Sequence, residues 1–434
     1  MDFLQNIVLP QSAEHIELIR GLVIVAFVIL LPYLAFVTGS VFYSLLYARK
    51  GKANDHLPSL LLAKDLSELV TVSKIILFGI ILIPLISIIF GYAQLLSGSG
   101  SLAAEYLIVA LLVLINALVA VAAYNNAFNL IEEGKEISFG KNKLFIAIGW
   151  LGFVLLLIGT YIIVSSVQLA IETEFWNMPN QISAVTVATP TIVNFLLFFI
   201  FALAVAPVVL LYVYFRPNTS KTGSSEHLEY IKAFALKSAL IFSVVLPVYL
   251  LLAVVSLPSY ALNNVSFFAV LVALILLIFA ASFVYVMRRD KSAQYAPHTI
   301  FFFILIFALV VMKDHYAMGT TTKDHAAKLA AQYEEYQLEL KKEMGIAVEE
   351  KVDGEAIFNT ICSACHSFDK RIVGPPYNET LVKYEGKLDD LADFILNPRK
   401  INPDYPVMPN QGLKPNQAKA VAEFLMQHFE ENKK

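Results

Sequence analysis

Up to about Met312, apolar runs of roughly 20 residues alternate with short polar connections, and beyond that point the pattern stops. Each run is long enough to cross about 30 Å of hydrocarbon as a helix. Eight such spans can be marked, at about 20–47, 70–96, 104–131, 144–171, 190–215, 237–257, 264–287 and 297–312. Near-continuous apolar stretches in lipid must satisfy every backbone group internally, so helices are the only option. The sequence therefore predicts an all-α protein opening with a polytopic eight-helix membrane domain over 1–315. After it the period changes. Leu329, Tyr333, Tyr336, Leu340 and Met344 recur at spacings of three and four, marking one face of a charged helix that threonines introduce and Gly345 would end. This stalk, 316–345, serves either as a spacer above the lipid or as a helix packed on a partner subunit. Residues 346–434 read as a small, soluble, helical domain.

Charge gives the membrane part a direction. The first, third, fifth and seventh connections carry Arg49, Lys50, Lys52 and Lys64; Lys135, Lys141 and Lys143; Arg216, Lys221 and Lys232; and Arg288, Arg289 and Lys291. The second, fourth and sixth carry no basic residue. By the positive-inside rule the odd connections are cytoplasmic, and an even number of spans puts both termini outside. The opening segment lacks a basic n-region with a short apolar core and is read as retained. The expected location is the bacterial inner membrane, with the C-terminal domain in the periplasm. Net charge is only −3 and no Lys/Arg block stands out, which sets nucleic-acid binding aside.

Polar residues within spans are the usual pointers to transport or redox chemistry, and few are found. Lys74 lies near a span end, from which its amine can snorkel. Tyr124, Asn125, Asn126 and Asn129 form a patch best read as helix–helix hydrogen bonding. The eight histidines fall at 15, 56, 227, 298, 315, 325, 366 and 428, none near the middle of a predicted span. That placement argues against b haems within the membrane, leaving His15 or His298 as interfacial alternatives. The segments SAEHIELIR, 12–20, and SSEHLEYIK, 224–232, look alike. A shared need for a helix start leading into a span explains the likeness as well as an inverted repeat does.

Chemistry concentrates in the last domain. Its segment CSACH holds both cysteines of the chain, Cys362 and Cys365, followed by His366, and fits the C-x-x-C-H attachment pattern of c-type haem. Two thiols three positions apart can each add to a haem vinyl group, and the adjacent imidazole then reaches the iron from one face. A zinc site would need a second Cys/His pair, which the neighbouring sequence lacks. The expected cofactor is one covalent haem c. Met408, held between Pro406 and Pro409, is the candidate sixth ligand, with Met426 and His428 as competitors on the last predicted helix.

From about Asp353 to Phe429 the chain resembles class I cytochromes c. The likeness rests on a first helix with Gly354 and Phe358, then CSACH, Gly374-Pro375, a middle helix near 387–395, the Met408 loop, and a last helix carrying Phe424. The resemblance implies that Gly354 and Phe358 lie where the first helix crosses the last, close to Phe424 and Leu425. It also implies that a backbone carbonyl at Pro375 accepts from the proximal imidazole, a role for which the adjacent Pro376 is the rival. A weaker likeness covers the first two spans: VILLPYLAFVTGSVFYSLLYARKG is similar to the opening of the large subunit of cytochrome bd-type oxidases. The place of that family's haem-ligating histidine, near Phe27, holds none, which implies a degenerate relative.

Together these features predict a membrane-integral monohaem cytochrome c subunit of a respiratory complex. It would pass single electrons between a periplasmic donor or acceptor and an embedded oxidoreductase such as a terminal oxidase, without being catalytic itself. Eight spans exceed what anchoring one haem needs, so other subunits are the expected partners. The alternative is a direct share in a quinone site or oxidase core with an interfacial b haem, and a haem-based sensor comes last.

Overall fold

The computed structural model describes residues 8–54, 56–129, 143–217, 219, 223–344 and 352–432. The described residues are helical, without strands. The chain divides into two compact units, Met1–Tyr336 and Gln337–Lys434.

In the first unit, eight described helices are long and apolar enough to cross a membrane. They belong to α1 (Ala13–Asn54), α3 (Lys74–Leu95), α4 (Ala103–Asn129), α5 (Lys143–Ile171), α7 (Thr189–Phe215), α8 (Ser225–Val255), α9 (Asn264–Arg289) and α10 (Ala296–Thr321). Two shorter helices, α2 (Leu57–Thr71) and α6 (Gln181–Val187), sit between them. α1 and α7 form the centre: α1 packs on α2, α3, α5, α7 and α10, and α7 is the most enclosed of the spans.

Hydrogen bonds show that successive spans alternate in direction. At the end where α1 begins, Leu9 N donates to Gln94 Oε1 (3.2 Å), Leu102 N to Gln181 Oε1 (2.9 Å) and Asn263 Nδ2 to Thr320 Oγ1 (3.1 Å). At the opposite end His227 Nε2 meets Asp65 Oδ2 at 2.7 Å and Ser59 Oγ meets the Tyr230 hydroxyl at 2.8 Å. The basic residues Arg49, Lys50, Lys52, Lys64, Arg216, Lys232, Arg288, Arg289 and Lys291 belong to this second end. Lys135, Lys141, Lys221 and Gly345, and the side chains of Asn129 and Lys143, lie outside the described residues.

The polar patch on α4 acts between helices. Tyr124, fully buried, stands 3.1 Å from Ser44 Oγ on α1, and Ser67 Oγ on α2 donates to Asn125 Oδ1 at 3.0 Å. Lys74 opens α3 and is exposed. In the two look-alike segments, the Ser12 and Ser224 hydroxyls each accept from the backbone N–H three residues on, at His15 and His227 (both 3.2 Å). The likeness is thus a shared N-cap.

Two boundaries differ most from the hydropathy reading. α8 starts a dozen residues before the predicted span, and α10 runs past Met312 to Thr321. The second difference carries charge into the bundle. Lys313 is fully buried, its amine 2.7 Å from Asp314 Oδ1 and 3.3 Å from Asn194 Oδ1 on α7, and His315 is buried as well. Polar side chains lowered the hydropathy there, but partners on neighbouring helices keep the helix intact. His315 lies within α10, toward its Thr321 end and away from its middle.

The stalk forms α11, Lys323–Glu343. Its first half is no free spacer. Leu329 is buried against the first unit, Tyr333 meets His15 edge-on at 6.0 Å, and His325 meets Trp176 at 5.6 Å. Tyr336 and Met344 of the same stripe are exposed.

The second unit contains α12 (Gly354–Ile357), a π-helical turn Phe358–Cys362, α13 (Tyr377–Thr380), α14 (Leu388–Leu396) and α15 (Pro415–Asn432). Asp353 caps α12 by accepting from Ala356 N at 3.0 Å. Phe358, Leu381, Leu391, Ile395, Val421 and Leu425 make the core. Where α12 crosses α15, a Cβ on Gly354 would stand 2.0 Å from the Ala420 carbonyl oxygen, so only glycine lets the backbones approach this closely. The Phe358 and Phe424 rings meet beside that crossing at 5.3 Å.

Candidate functional site

The π-helical turn delivers the two thiols and the imidazole. Ser363 N donates to the Phe358 carbonyl, and both Cys365 N and His366 N donate to the Cys362 carbonyl (3.1 and 3.0 Å). This tight turn carries Cys362, buried, and Cys365, half-buried, with no disulfide between them. Burial pushes the Cys362 thiol above its ordinary pKa, with Cys365 adding to the shift.

The next loop folds back under His366. Val373 N and Gly374 N both donate to the Cys365 carbonyl, at 3.2 and 2.9 Å. The Pro375 carbonyl oxygen then stands 3.3 Å from His366 Nδ1. A carbonyl can only accept, so the ring proton sits on Nδ1 and the Nε2 lone pair is left for a metal. Burial holds the imidazole below its usual pKa, with the Pro375 carbonyl opposing that shift. Both effects are compatible with a neutral ligand.

Two residues around this ring were not singled out as site residues from sequence. A Cβ on Gly374 would lie 2.1 Å from His366 Cε1, so the loop cradles the ring only because that position has no side chain. Tyr377 stacks on His366, with centroids 4.9 Å apart and planes 21° apart, and Tyr377 N donates to the Ser367 carbonyl at 3.0 Å. Gly374 was visible in the sequence as the partner of Pro375. Tyr377 gave no signal there, because a tyrosine in a loop reads as surface until the chain reversal places it.

The Met408 loop is held from both sides. Arg371 donates to the Asp404 carbonyl at 3.1 Å and lies 4.4 Å over the Tyr405 ring. Asn410 Nδ2 donates to the Leu396 carbonyl at 2.9 Å. Met408 is half-buried while Pro406, Val407 and Pro409 are exposed, so this methionine is what the tip of the loop turns inward. The competitors have other work. Met426 is buried in the core and His428 packs 4.1 Å from the Phe368 ring.

These residues fit a covalently held haem: two thiols and an imidazole on one turn, a metal-facing nitrogen freed by a backbone acceptor, an apolar wall, and a thioether on a separately anchored loop. Among the described residues no group of three or more His, Cys, Asp or Glu side chains offers a competing metal site.

Comparison with known proteins points the same way. Residues 352–429 match the family model described as Cytochrome c. Cytochrome c-551 of Pseudomonas denitrificans is 35% identical over 77 residues, which is 17% of this chain and 94% of that protein. Cytochrome c-551 of Azotobacter vinelandii is 33% identical over 79 residues, 17% of this chain and 96% of that protein. Its counterpart in Stutzerimonas stutzeri is 38% identical over 79 residues, 17% of this chain and 75% of that protein. No solved structure matches. These matches concern the C-terminal domain, and they lend no support to the likeness of the first spans to bd-type oxidases.

Proposed function

Because this chain belongs, through its C-terminal domain, to the cytochrome c family, we propose that it is the membrane-integral monohaem subunit of a respiratory electron-transfer complex. The family and the eight apolar helices establish the coarse frame, a covalent haem c protein of electron transport with a membrane-spanning part. The observation that carries the site assignment is the His366 Nδ1 hydrogen bond to Pro375, on the imidazole that follows Cys362 and Cys365.

In this reading Cys362 and Cys365 hold the haem by thioether bonds. His366 would hold the iron through Nε2, and Met408 would be its second protein ligand. Bound haem c would supply reversible one-electron exchange, at a potential that a thioether ligand raises. Gly374 admits the imidazole, Pro375 fixes its tautomer, and Phe358, Leu381 and Leu425 keep water out. Replacing Met408 with alanine is expected to lower the midpoint potential by roughly 0.1 V or more, a part of the about 0.8 V that axial ligands span. It should also abolish the sulfur–iron charge-transfer band. A variant with unchanged potential and band would move the ligand assignment away from Met408.

The respiratory assignment rests on proportion. One haem needs a single anchor helix, and the described residues hold eight helices long and apolar enough to span. The expected donor or acceptor is periplasmic, and the expected partners are other subunits of a complex in the bacterial inner membrane. The basic residues gathered at one end of the bundle support an orientation with that end cytoplasmic and both termini outside. Protease added to intact spheroplasts is expected to remove the haem-stained domain and leave the connection holding Arg288, Arg289 and Lys291 uncut. In mild detergent the chain should co-purify with further subunits. A chain that runs alone would sink the complex-subunit reading while leaving the cytochrome assignment in place.

A further inference from the structure

Within the first unit, a cavity of about 60 Å³ lies between α1, α5, α7 and α10. Its walls are mostly apolar and rich in phenylalanine, including Phe27, Phe198 and Phe307. Its polar groups come from Gln168, Asn194, Asp314 and His315. All four lie toward the end of the bundle where α1 begins.

His315 is the informative member. It is 3% exposed, and its Nδ1 lies 2.9 Å from the Val311 carbonyl of its own helix. The carbonyl accepts, so Nδ1 carries the proton and Nε2 is a bare acceptor. That Nε2 is buried and has no partner. An unsatisfied buried acceptor costs about 1–3 kcal/mol, a cost that is lifted when a donor arrives. Charge narrows the class of donor. Asp314 is neutralised by Lys313 at 2.7 Å, and Asn194 Oδ1 holds the same amine at 3.3 Å. The cavity is thus electrically balanced, which matches a neutral guest better than an ion. Val164 and Val310 at its apolar side are half-buried, as are Asn194 and Asp314 at its polar side.

We propose that this cavity binds the hydroxylated ring of a lipid-soluble carrier of the hydroquinone class, with His315 Nε2 accepting the hydrogen bond of a ring hydroxyl. A phenyl-lined wall suits the ring face, and a place among helices able to span a membrane suits a lipid-soluble guest. The free space accommodates several waters or the hydroxylated edge of one ring, so the apolar wall yields on binding. The inference stands on the membrane unit alone and is independent of the haem ligands.

The test uses the full haem-loaded chain in lipid nanodiscs with decylubiquinol as probe. Saturable binding of one probe per chain above empty nanodiscs is expected. His315→Phe should weaken it about tenfold, and Leu31→Trp, which fills the apolar side of the cavity, should abolish it. Phe27→Ala, which enlarges the cavity, should tighten it. Val248→Ala, on the exposed face of α8, should leave it unchanged, and unaltered helical circular dichroism with monodisperse elution shows that each variant is folded. Partition equal to that of empty nanodiscs would overturn the proposal, as would saturable binding insensitive to both His315→Phe and Leu31→Trp. So would a density map showing a water cluster only on His315 in the presence of saturating probe.

Discussion

Gly374→Ala is expected to cost the haem domain about 2–5 kcal/mol and to strip most chains of native His366 coordination. The added methyl would meet the imidazole at 2.1 Å from Cε1 and 2.6 Å from Nδ1. The ring cannot simply rotate, because Tyr377 stacks on it and Pro375 holds Nδ1. Either the imidazole moves and gives up the Pro375 bond, or the loop opens and loses the donors from Val373 and Gly374 to Cys365. Overpacking costs about 1–3 kcal/mol and each lost hydrogen bond about 1 kcal/mol, which together exceed a tenfold shift in equilibrium. The readout is the fraction of purified chain with a six-coordinate, low-spin haem spectrum. A variant with the native spectrum and stability would show that Gly374 does not support the ring.

Gly354→Ala sets two effects against each other. Helix propensity favours alanine over glycine by about 1 kcal/mol and predicts stabilisation. The crossing predicts the reverse: the new Cβ would lie 2.0 Å from the Ala420 oxygen and 2.5 Å from its carbonyl carbon, both backbone atoms of α15. Backbone within a helix cannot turn aside, so α12 and α15 must separate and open the Phe358–Phe424 contact. We expect a net loss of about 1–3 kcal/mol, overpacking and the opened aromatic contact outweighing the propensity gain, against a total stability of about 5–15 kcal/mol for a small domain. Guanidinium unfolding of the full chain, followed by haem absorbance, measures it. Stabilisation would mean that the two helices can slide apart at little cost.

Most of the haem site was legible because its chemistry is local in the chain. Cys362, Cys365 and His366 are contiguous, and thioether attachment with a neighbouring imidazole requires that spacing. Met408 is proposed for a related reason: flanking prolines exclude helix and strand, leaving a rigid loop with one soft side chain. The spans were legible because hydrocarbon imposes its thickness on every apolar run, whatever the run packs against. Their ends were less so. Hydropathy dropped at Lys313 and the reading stopped there, whereas the helix continues because Asp314 and Asn194 partner the buried amine.

An all-α chain with eight apolar spans, followed by a domain with two cysteines and a histidine at haem-attachment spacing, follows from the amino-acid string alone. Those conclusions depend on length, composition and near-neighbour chemistry, all of which a linear string preserves. Only the tertiary structure decided that the Pro375 carbonyl, rather than that of Pro376, faces His366, that Gly354 and Gly374 each occupy a contact no side chain fits, and that His315 ends in a cavity with an acceptor to spare. Each of these depends on which distant segment arrives beside a residue, and that is set by the packing of the whole unit rather than by any local pattern.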